Sequence, residues 1–392
     1  MIALVGGTVL TPSRQIPDGA VLVEGNRIVV VGPRQLVAIP THAEVIDVSD
    51  SYLAPGFVDL HCHGAIGVDF NRPGTTPDDL HRVAAFKASH GTTSFLAAIA
   101  TASPEATERS LDVVHRSVGA REGAEVLGAQ AEGPFLNPAA AGAQAVECIR
   151  PPDLAELDRW LAVCPELRLI SVAPEMEGGL EFIAEGHRRG ITLSVGHSCA
   201  NYDQVIAAVG VGLTHATHTF NAMQGFHHRH PGTAGAVLTC DEITAEAVVD
   251  NVHLHPAAVN LLVRCKGPSR LALITDAMSA AGLPEGEHEW DGRRVTVADG
   301  AVRLDDGTIA GSTLTMDRAL RNLVAAAEIP LADAVQMATL NPARSIGVHN
   351  RKGSLACGRD ADVVVLDRNL EVDMTMVRGA IVFRREKDAE AV

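Results

Sequence analysis

Apolar and polar positions follow two different textures along this chain. The first fifty residues hold short runs of alternating character, "ALVGGTVLTP", "GAVLVEGNRIVVVGP" and "AEVIDVSDSYLAPG", separated by Gly, Pro, Asn and Asp. Alternation with period two between turn residues predicts strands. "EGNR", residues 24–27, lies between two such runs and predicts a tight hairpin. The end of the chain, "GSLACGRDADVVVLDRNLEVDMTMVRGAIVF", repeats this texture. Both ends are therefore expected to pair into one small β-sandwich domain, residues 1–53 with 358–392.

Over 54–357 the texture changes to short apolar runs that alternate with longer, alanine-rich amphipathic stretches. The apolar runs are "GFVDLH", "GTTSFLAAIA", "EVLGAQAE", "LRLISVAPE", "ITLSVGH", "VGLTHATHTF", "ITAEAVVDN" and "RLALITDAM". Eight β-α repeats predict an α/β protein built on a (β/α)8 barrel of the TIM type. A further hairpin, "RRVTVADGAVRL", is expected after the eighth strand.

A barrel of this kind carries its chemistry at the carboxyl ends of its strands. The first run ends in His61 and His63, which share one face of a strand. The third ends in Glu132, the fifth in His197, the sixth in His218 and the eighth in Asp276. Read singly, each has an ordinary role: a hydrogen-bonded histidine, a turn carboxylate, a helix cap. Read together, in barrel order, they form a nitrogen and oxygen donor set suited to Zn²⁺ and related divalent metals.

Composition narrows the partners. A net charge of −16 argues against nucleic acid. No apolar run reaches the roughly 18 residues that a spanning helix needs, so no membrane role is expected. Seven cysteines without a C-x-x-C pair, and a start with no basic, cleavable leader, read as a reduced cytoplasmic protein.

"PGFVDLHCHG" near the start and "TLNPARSIGVHNRKGSLACGRDADVVVLD" near the end resemble the amidohydrolase superfamily. Within it, "AEGPFLN", "VGHS", "HTFNAM", "RHPG", "ITDAM" and "AGSTLTMDRALRNLV" resemble the N-acetylglucosamine-6-phosphate deacetylase family, nearly from end to end. Many superfamily members bridge two metals with a carbamylated lysine, whereas this family uses a glutamate, which Glu132 matches. The resemblance implies two divalent metals per subunit. One would be held by His61, His63, Glu132 and Asp276, the other by Glu132, His197 and His218. Zn²⁺ is the first expectation, with Fe²⁺, Mn²⁺, Co²⁺ or Cd²⁺ compatible with the same donors.

The implied reaction is hydrolysis of the acetamide of N-acetyl-D-glucosamine 6-phosphate by a metal-bound hydroxide, giving D-glucosamine 6-phosphate and acetate. Asp276 would serve as base and then acid. His253 would contact substrate and polarise the carbonyl. The resemblance sets the phosphate near Asn221, Ala222 and Arg229, with Arg229 reaching in from the other subunit of a homodimer. Ala143, Gln144, Ile309, Ala310 and Gly311 would line the sugar pocket. Gln144 is a departure, since relatives usually carry a histidine there, and it leaves the sugar epimer open.

Other readings compete. A deacetylase of N-acetylgalactosamine 6-phosphate or of an unphosphorylated sugar would share the cage. So would an N-acyl-D-amino acid deacylase, a dihydroorotase-like enzyme or a nucleobase deaminase; Asn221, Arg229 and the glutamate bridge speak against these. A glycosidase using Glu132 and Asp276 as an acid–base pair leaves four strand-end histidines unexplained. A non-catalytic scaffold barrel would be expected to have lost ligands.

Overall fold

A computed structural model of the chain describes residues 1–12, 14–290 and 293–386. The eight apolar runs form eight parallel strands in one sheet, ordered as in the sequence: Phe57–Asp59, Thr92–Ala100, Glu125–Glu132, Leu167–Val172, Thr192–Val195, Leu213–Ala216, Thr244–Val248 and Leu271–Ile274. Their nearly unbroken apolarity follows from burial on both faces; all eight residues of Glu125–Glu132 are buried. Each strand is followed by a helix, beginning with Pro77–Ser89 after the first and ending with Met316–Ala327 after the eighth. Local sequence starts several of these helices. Thr76, Ser103, Asp153 and Asn201 each accept a hydrogen bond from a first-turn N–H, a cap worth about 1 kcal/mol.

The barrel closes by side chains as much as by backbone. Past the ends of the first and eighth strands, Asp276 N–H donates to His61 O (2.9 Å) and His63 N–H to Ala277 O (2.7 Å). Between the strands, the buried Asp59 carboxylate accepts from Thr275 N–H (3.1 Å), Thr275 Oγ1 (2.6 Å) and Lys87 Nζ (2.7 Å). Burial works against the Lys87 charge, but Asp59 outweighs it and raises the pKa of the amine. The seam of the barrel therefore runs directly under the strand-one histidines.

The two ends of the chain build the two sheets of the expected sandwich. Strands Arg27–Pro33, Gly19–Glu24, Ile2–Val5 and Glu44–Asp47 form a four-stranded sheet from the amino-terminal part alone. The second sheet has six strands and joins both ends: Ala380–Arg384, Val372–Val377, Val363–Leu366, Tyr52–Pro55, Thr8–Thr11 and Arg14–Ile16. Leu4, Val21, Ile28, Leu53, Val363 and Met374 pack between them, which makes a sandwich. The expected hairpin at 24–27 is present, with Glu24 opposite Arg27. Residues 387–392, the last part of the expected carboxyl-terminal segment, lie outside the described residues.

The insertion after the eighth strand is larger than the expected hairpin. Gly286–Trp290 and Ile309–Ser312 flank Arg293–Ala298 and Ala301–Leu304 in a four-stranded antiparallel sheet. "GEHEW" conceals its strand because only its final Trp290 is buried. The last strand returns to the barrel seam, where Ser312 N–H donates to Asp276 O (2.9 Å) and Met278 N–H to Ser312 O (3.1 Å).

Candidate metal centre and cavity

The strand-end residues converge. Glu132 is the last residue of the third strand, while His61, His197, His218 and Asp276 each lie two residues past the end of theirs. His197, His218 and Asp276 have φ of +48°, +27° and +49°. Non-glycine residues seldom adopt this left-handed backbone, at a cost on the order of 1–3 kcal/mol each. Here it accompanies the turn of three side chains into the barrel mouth.

His61 Nε2 and His63 Nε2 are 3.1 Å apart, as are His197 Nε2 and His218 Nε2. Glu132 lies between the pairs. Its Oε1 is 2.9 Å from His218, 3.2 Å from His197 and 3.4 Å from His61, and its Oε2 is 3.2 Å from His63. Two groups of close donor atoms result, His61–His63–Glu132 and Glu132–His197–His218, all five side chains buried and Glu132 common to both. Asp276 Oδ1 stands beside the first group, 3.6 Å from both His61 Nε2 and His63 Nε2. Ring nitrogens and carboxylate oxygens turned on one another present more lone pairs than protons can bridge. A divalent cation fits such a donor set.

Electrostatics reinforce this. Burial works against a charged His61, yet Glu132 and Asp276 raise its pKa well above the ordinary value. Burial would raise the Glu132 carboxyl, but His61, His197 and His218 hold it well below the usual range. The site therefore favours an ionised carboxylate with cationic charge around it.

A second layer, which the strand-end reading missed, orients these rings. Fully buried Glu246, inside the seventh strand, lies 3.2 Å from His61 Nδ1 and 3.1 Å from His215 Nε2, and accepts from His218 N–H (3.0 Å). A donor at His61 Nδ1 leaves Nε2 with a free lone pair, the tautomer a metal ligand needs. His197 Nδ1 donates to Ala140 O (2.9 Å) with the same effect. Asp250 Oδ2 lies 2.6 Å from His253 Nδ1. Burial lowers the His253 pKa, but this contact and nearby Asp276 outweigh it and raise it. A lone acid inside an apolar run, "ITAEAVVDN", was the available signal for Glu246.

Above the centre opens a cavity of about 380 Å³. Ala143, Gln144, Asn221, Ala222, His253, Ile309, Ala310 and Gly311 all line it, with His63, Glu132, His197, His218 and Asp276 at its floor. Trp290 and Thr308 of the insertion line it too, and the sequence reading did not include them. His61 is wholly buried behind the floor. Arg229 does not line the cavity; it lies on an exposed turn, its Nη1 2.8 Å from His228 Nε2. Among the described lining residues there is no Arg or Lys. His255 takes the bland role, accepting from Ala257 N–H (3.1 Å) as the cap of helix Pro256–Lys266.

Comparison with known proteins agrees with this geometry. The model of the "Amidohydrolase family" matches residues 52–382. The chain belongs to the amidohydrolase family. It is 37% identical over 350 residues to N-acetylglucosamine-6-phosphate deacetylase of Lysinibacillus sphaericus, covering 88% of this chain and 90% of that protein. It is 38% identical over 344 residues to N-acetylgalactosamine-6-phosphate deacetylase of Escherichia coli O157:H7, covering 87% and 90%. Among solved structures it resembles a mutant N-acetyl-D-glucosamine-6-phosphate deacetylase from Mycobacterium smegmatis in complex with N-acetyl-D-glucosamine-6-phosphate. The TM-score there is 0.91 at 36% identity, covering 97% of this chain and 99% of that one.

Proposed function

We propose that this amidohydrolase removes the acetyl group of N-acetyl-D-glucosamine 6-phosphate, yielding D-glucosamine 6-phosphate and acetate. The observation that carries the reading is Glu132, shared between two histidine pairs at the floor of a sugar-sized cavity. His61, His63, Glu132 and Asp276 would hold one divalent cation, and Glu132, His197 and His218 a second, with Zn²⁺ the first choice for such donors. Bound there, the cations supply Lewis acidity and bring the pKa of water near 7.

The chain's own residues handle the protons. Asp276 takes the proton of the attacking water and returns it to the departing amine. His253, steadied through Nδ1 by Asp250, turns Nε2 toward the site, 3.7 Å from Asp276 Oδ2. With Nδ1 held by Asp250, a proton on Nε2 would let this ring polarise the acetyl carbonyl. Ala143, Ile309, Ala310 and Gly311 form the sugar wall, and Asn221 and Ala222 lie at the phosphate end.

A cavity whose described lining has no Arg or Lys needs a cation from elsewhere to hold a phosphate. Exposed Arg229 would supply it to a second copy, in a homodimer with shared sites. Seven free cysteines support a cytoplasmic setting. The division into 1–53 with 358–392 and 54–357 rests on the sheet that joins strands of both ends. A second reading, the galactosamine epimer, is favoured by the 38% identical relative.

The test is acetate release by the metal-replete protein from N-acetylglucosamine 6-phosphate, its galactosamine epimer and unphosphorylated N-acetylglucosamine. Preference for the first is expected, with Arg229→Ala raising KM for the phosphate ester. Equal rates with and without phosphate would overturn the reading.

A further inference from the structure

Gln144 lines the cavity, and both ends of its amide are engaged by the protein itself. Its Oε1 accepts from Thr101 N–H (2.8 Å), and its Nε2 donates to Glu132 Oε2 (2.5 Å). These partners fix which way the amide faces. A backbone N–H must meet the amide oxygen, so the NH₂ must face the carboxylate. The anchor is itself tied to the same glutamate, since Thr101 Oγ1 donates to Glu132 O (3.1 Å). The loop leading into Gln144 is pinned at two of its carbonyls. Ala140 O accepts from His197 Nδ1 (2.9 Å), and Ala143 O from Arg293 Nη1 (3.1 Å).

Glu132 has a particular need for such a contact. It is the group common to both histidine pairs, and its two oxygens face different sets: Oε1 toward His197, His218 and His61, Oε2 toward His63. A carboxylate serving two sites must be held against rotation about its last torsion, which is broad and roughly two-fold. Gln144 Nε2 is a directed, uncharged donor on the Oε2 side. We propose that Gln144 is a positioning residue that fixes the Glu132 carboxylate between the two metal sites, and that it is not a sugar contact. This rests on the metal-dependent reading above.

The test compares Gln144→Leu and Gln144→His with the unmodified protein. Zn²⁺ affinity is measured by competition with a chromophoric chelator, and kcat and KM are measured separately. The urea midpoint of each metal-free protein checks folding. For Gln144→Leu, Zn²⁺ affinity should fall about 10- to 100-fold, the range for lost partners of metal ligands, and kcat should fall with KM little changed. Gln144→His again offers an acceptor and a donor, and should recover most of the Zn²⁺ affinity. If Gln144→Leu binds Zn²⁺ like the unmodified protein while KM rises, the residue is a sugar contact and the proposal fails. It fails equally if the histidine variant binds as weakly as the leucine variant. Should Gln144→Leu not fold, Gln144→Ala takes its place, with the same two outcomes deciding. Failure of the deacetylase reading would appear instead as no acetate release by the unmodified protein.

Discussion

One strand of the barrel, Glu125–Glu132, carries a buried glutamate at each end, and the two are satisfied in opposite ways. Glu125, at the amino end, meets Arg351 Nη2 (2.7 Å) and Lys352 Nζ (2.5 Å), and Lys352 also reaches Asp362 (2.6 Å) and Asp360 (3.1 Å). Burial would raise the Glu125 carboxyl, yet Arg351 and Lys352 carry it below the ordinary value. That cluster is closed: acids and fixed cations of one chain answer each other. Glu132, at the carboxyl end, faces four imidazoles, which are acceptors as readily as donors, and the neutral amide of Gln144, but no permanent cation among the described residues. One end of the strand completes its charge with permanent cations, and the other leaves donor atoms for a ligand. This matches the barrel rule that one face serves stability and the opposite face chemistry.

Substitution at the two ends should separate these roles. Glu132→Gln should lower kcat/KM by at least about 100- to 1,000-fold, the loss expected when one electrostatic contributor leaves a reacting centre. Metal content should fall with it, while the urea midpoint of the metal-free protein stays close to its original value. Lys352→Met should do the reverse. It removes a cation shared by three carboxylates and leaves buried Asp362 without one, at a cost of about 3–5 kcal/mol, and should leave the kcat of the folded fraction within a few-fold. Equilibrium urea unfolding and metal analysis on both variants check this. A large midpoint shift in Glu132→Gln, or metal loss in Lys352→Met, would break the comparison.

Glu246 sharpens it, being a buried acid at the chemical end that is not itself in either donor group. Replacing it with Gln keeps the shape but removes the charge beside His61 Nδ1 and His215 Nε2. Zn²⁺ affinity is expected to drop about 10- to 100-fold. Chelator competition reads this directly, and unchanged affinity would mean that His61 needs no such partner.

Glu246 also shows where sequence reasoning stops. The strand-end residues His61, Glu132, His197, His218 and Asp276 were legible because strand ends are local events, marked where an apolar run meets a turn. Which face Glu246 presents, and that it meets a histidine 185 positions away, depends on closure of the sheet. The same limit hid the roles of Asp59 and Lys87 at the seam, since Asp59 meets Thr275, 216 positions away, only when the barrel closes. In the terminal sandwich the strand texture was legible but the sheet assignment was not. Ile2–Val5 pairs in parallel with Glu44–Asp47, and Thr8–Thr11 with Tyr52–Pro55, so neighbouring strands go to different sheets. The strand in "GEHEW" was masked because four of its five residues are not buried. The Gln144–Glu132 contact needed a loop fold that periodicity does not encode.

A further buried acid tests whether closed clusters behave alike away from the strand. Asp317, in helix Met316–Ala327, lies 3.3 Å from His90 at the end of helix Pro77–Ser89 and 3.1 Å from Arg321 one turn on. Burial would raise its carboxyl, but His90 and Arg321 bring the pKa down to about 2, against 3.8 ordinarily. A depressed acid pKa means that the unfolded chain binds the proton more tightly. The stabilisation is therefore complete above about pH 4 and is lost as pH falls through about 2, and the shift corresponds to about 2 kcal/mol. Asp317→Asn should lower the unfolding free energy by about that amount at pH 7, and the gap to the unmodified protein should narrow at pH 3. Urea unfolding at the two pH values measures it. A gap that does not change with pH would show that hydrogen bonding, kept in part by Asn, rather than charge holds this helix pair together.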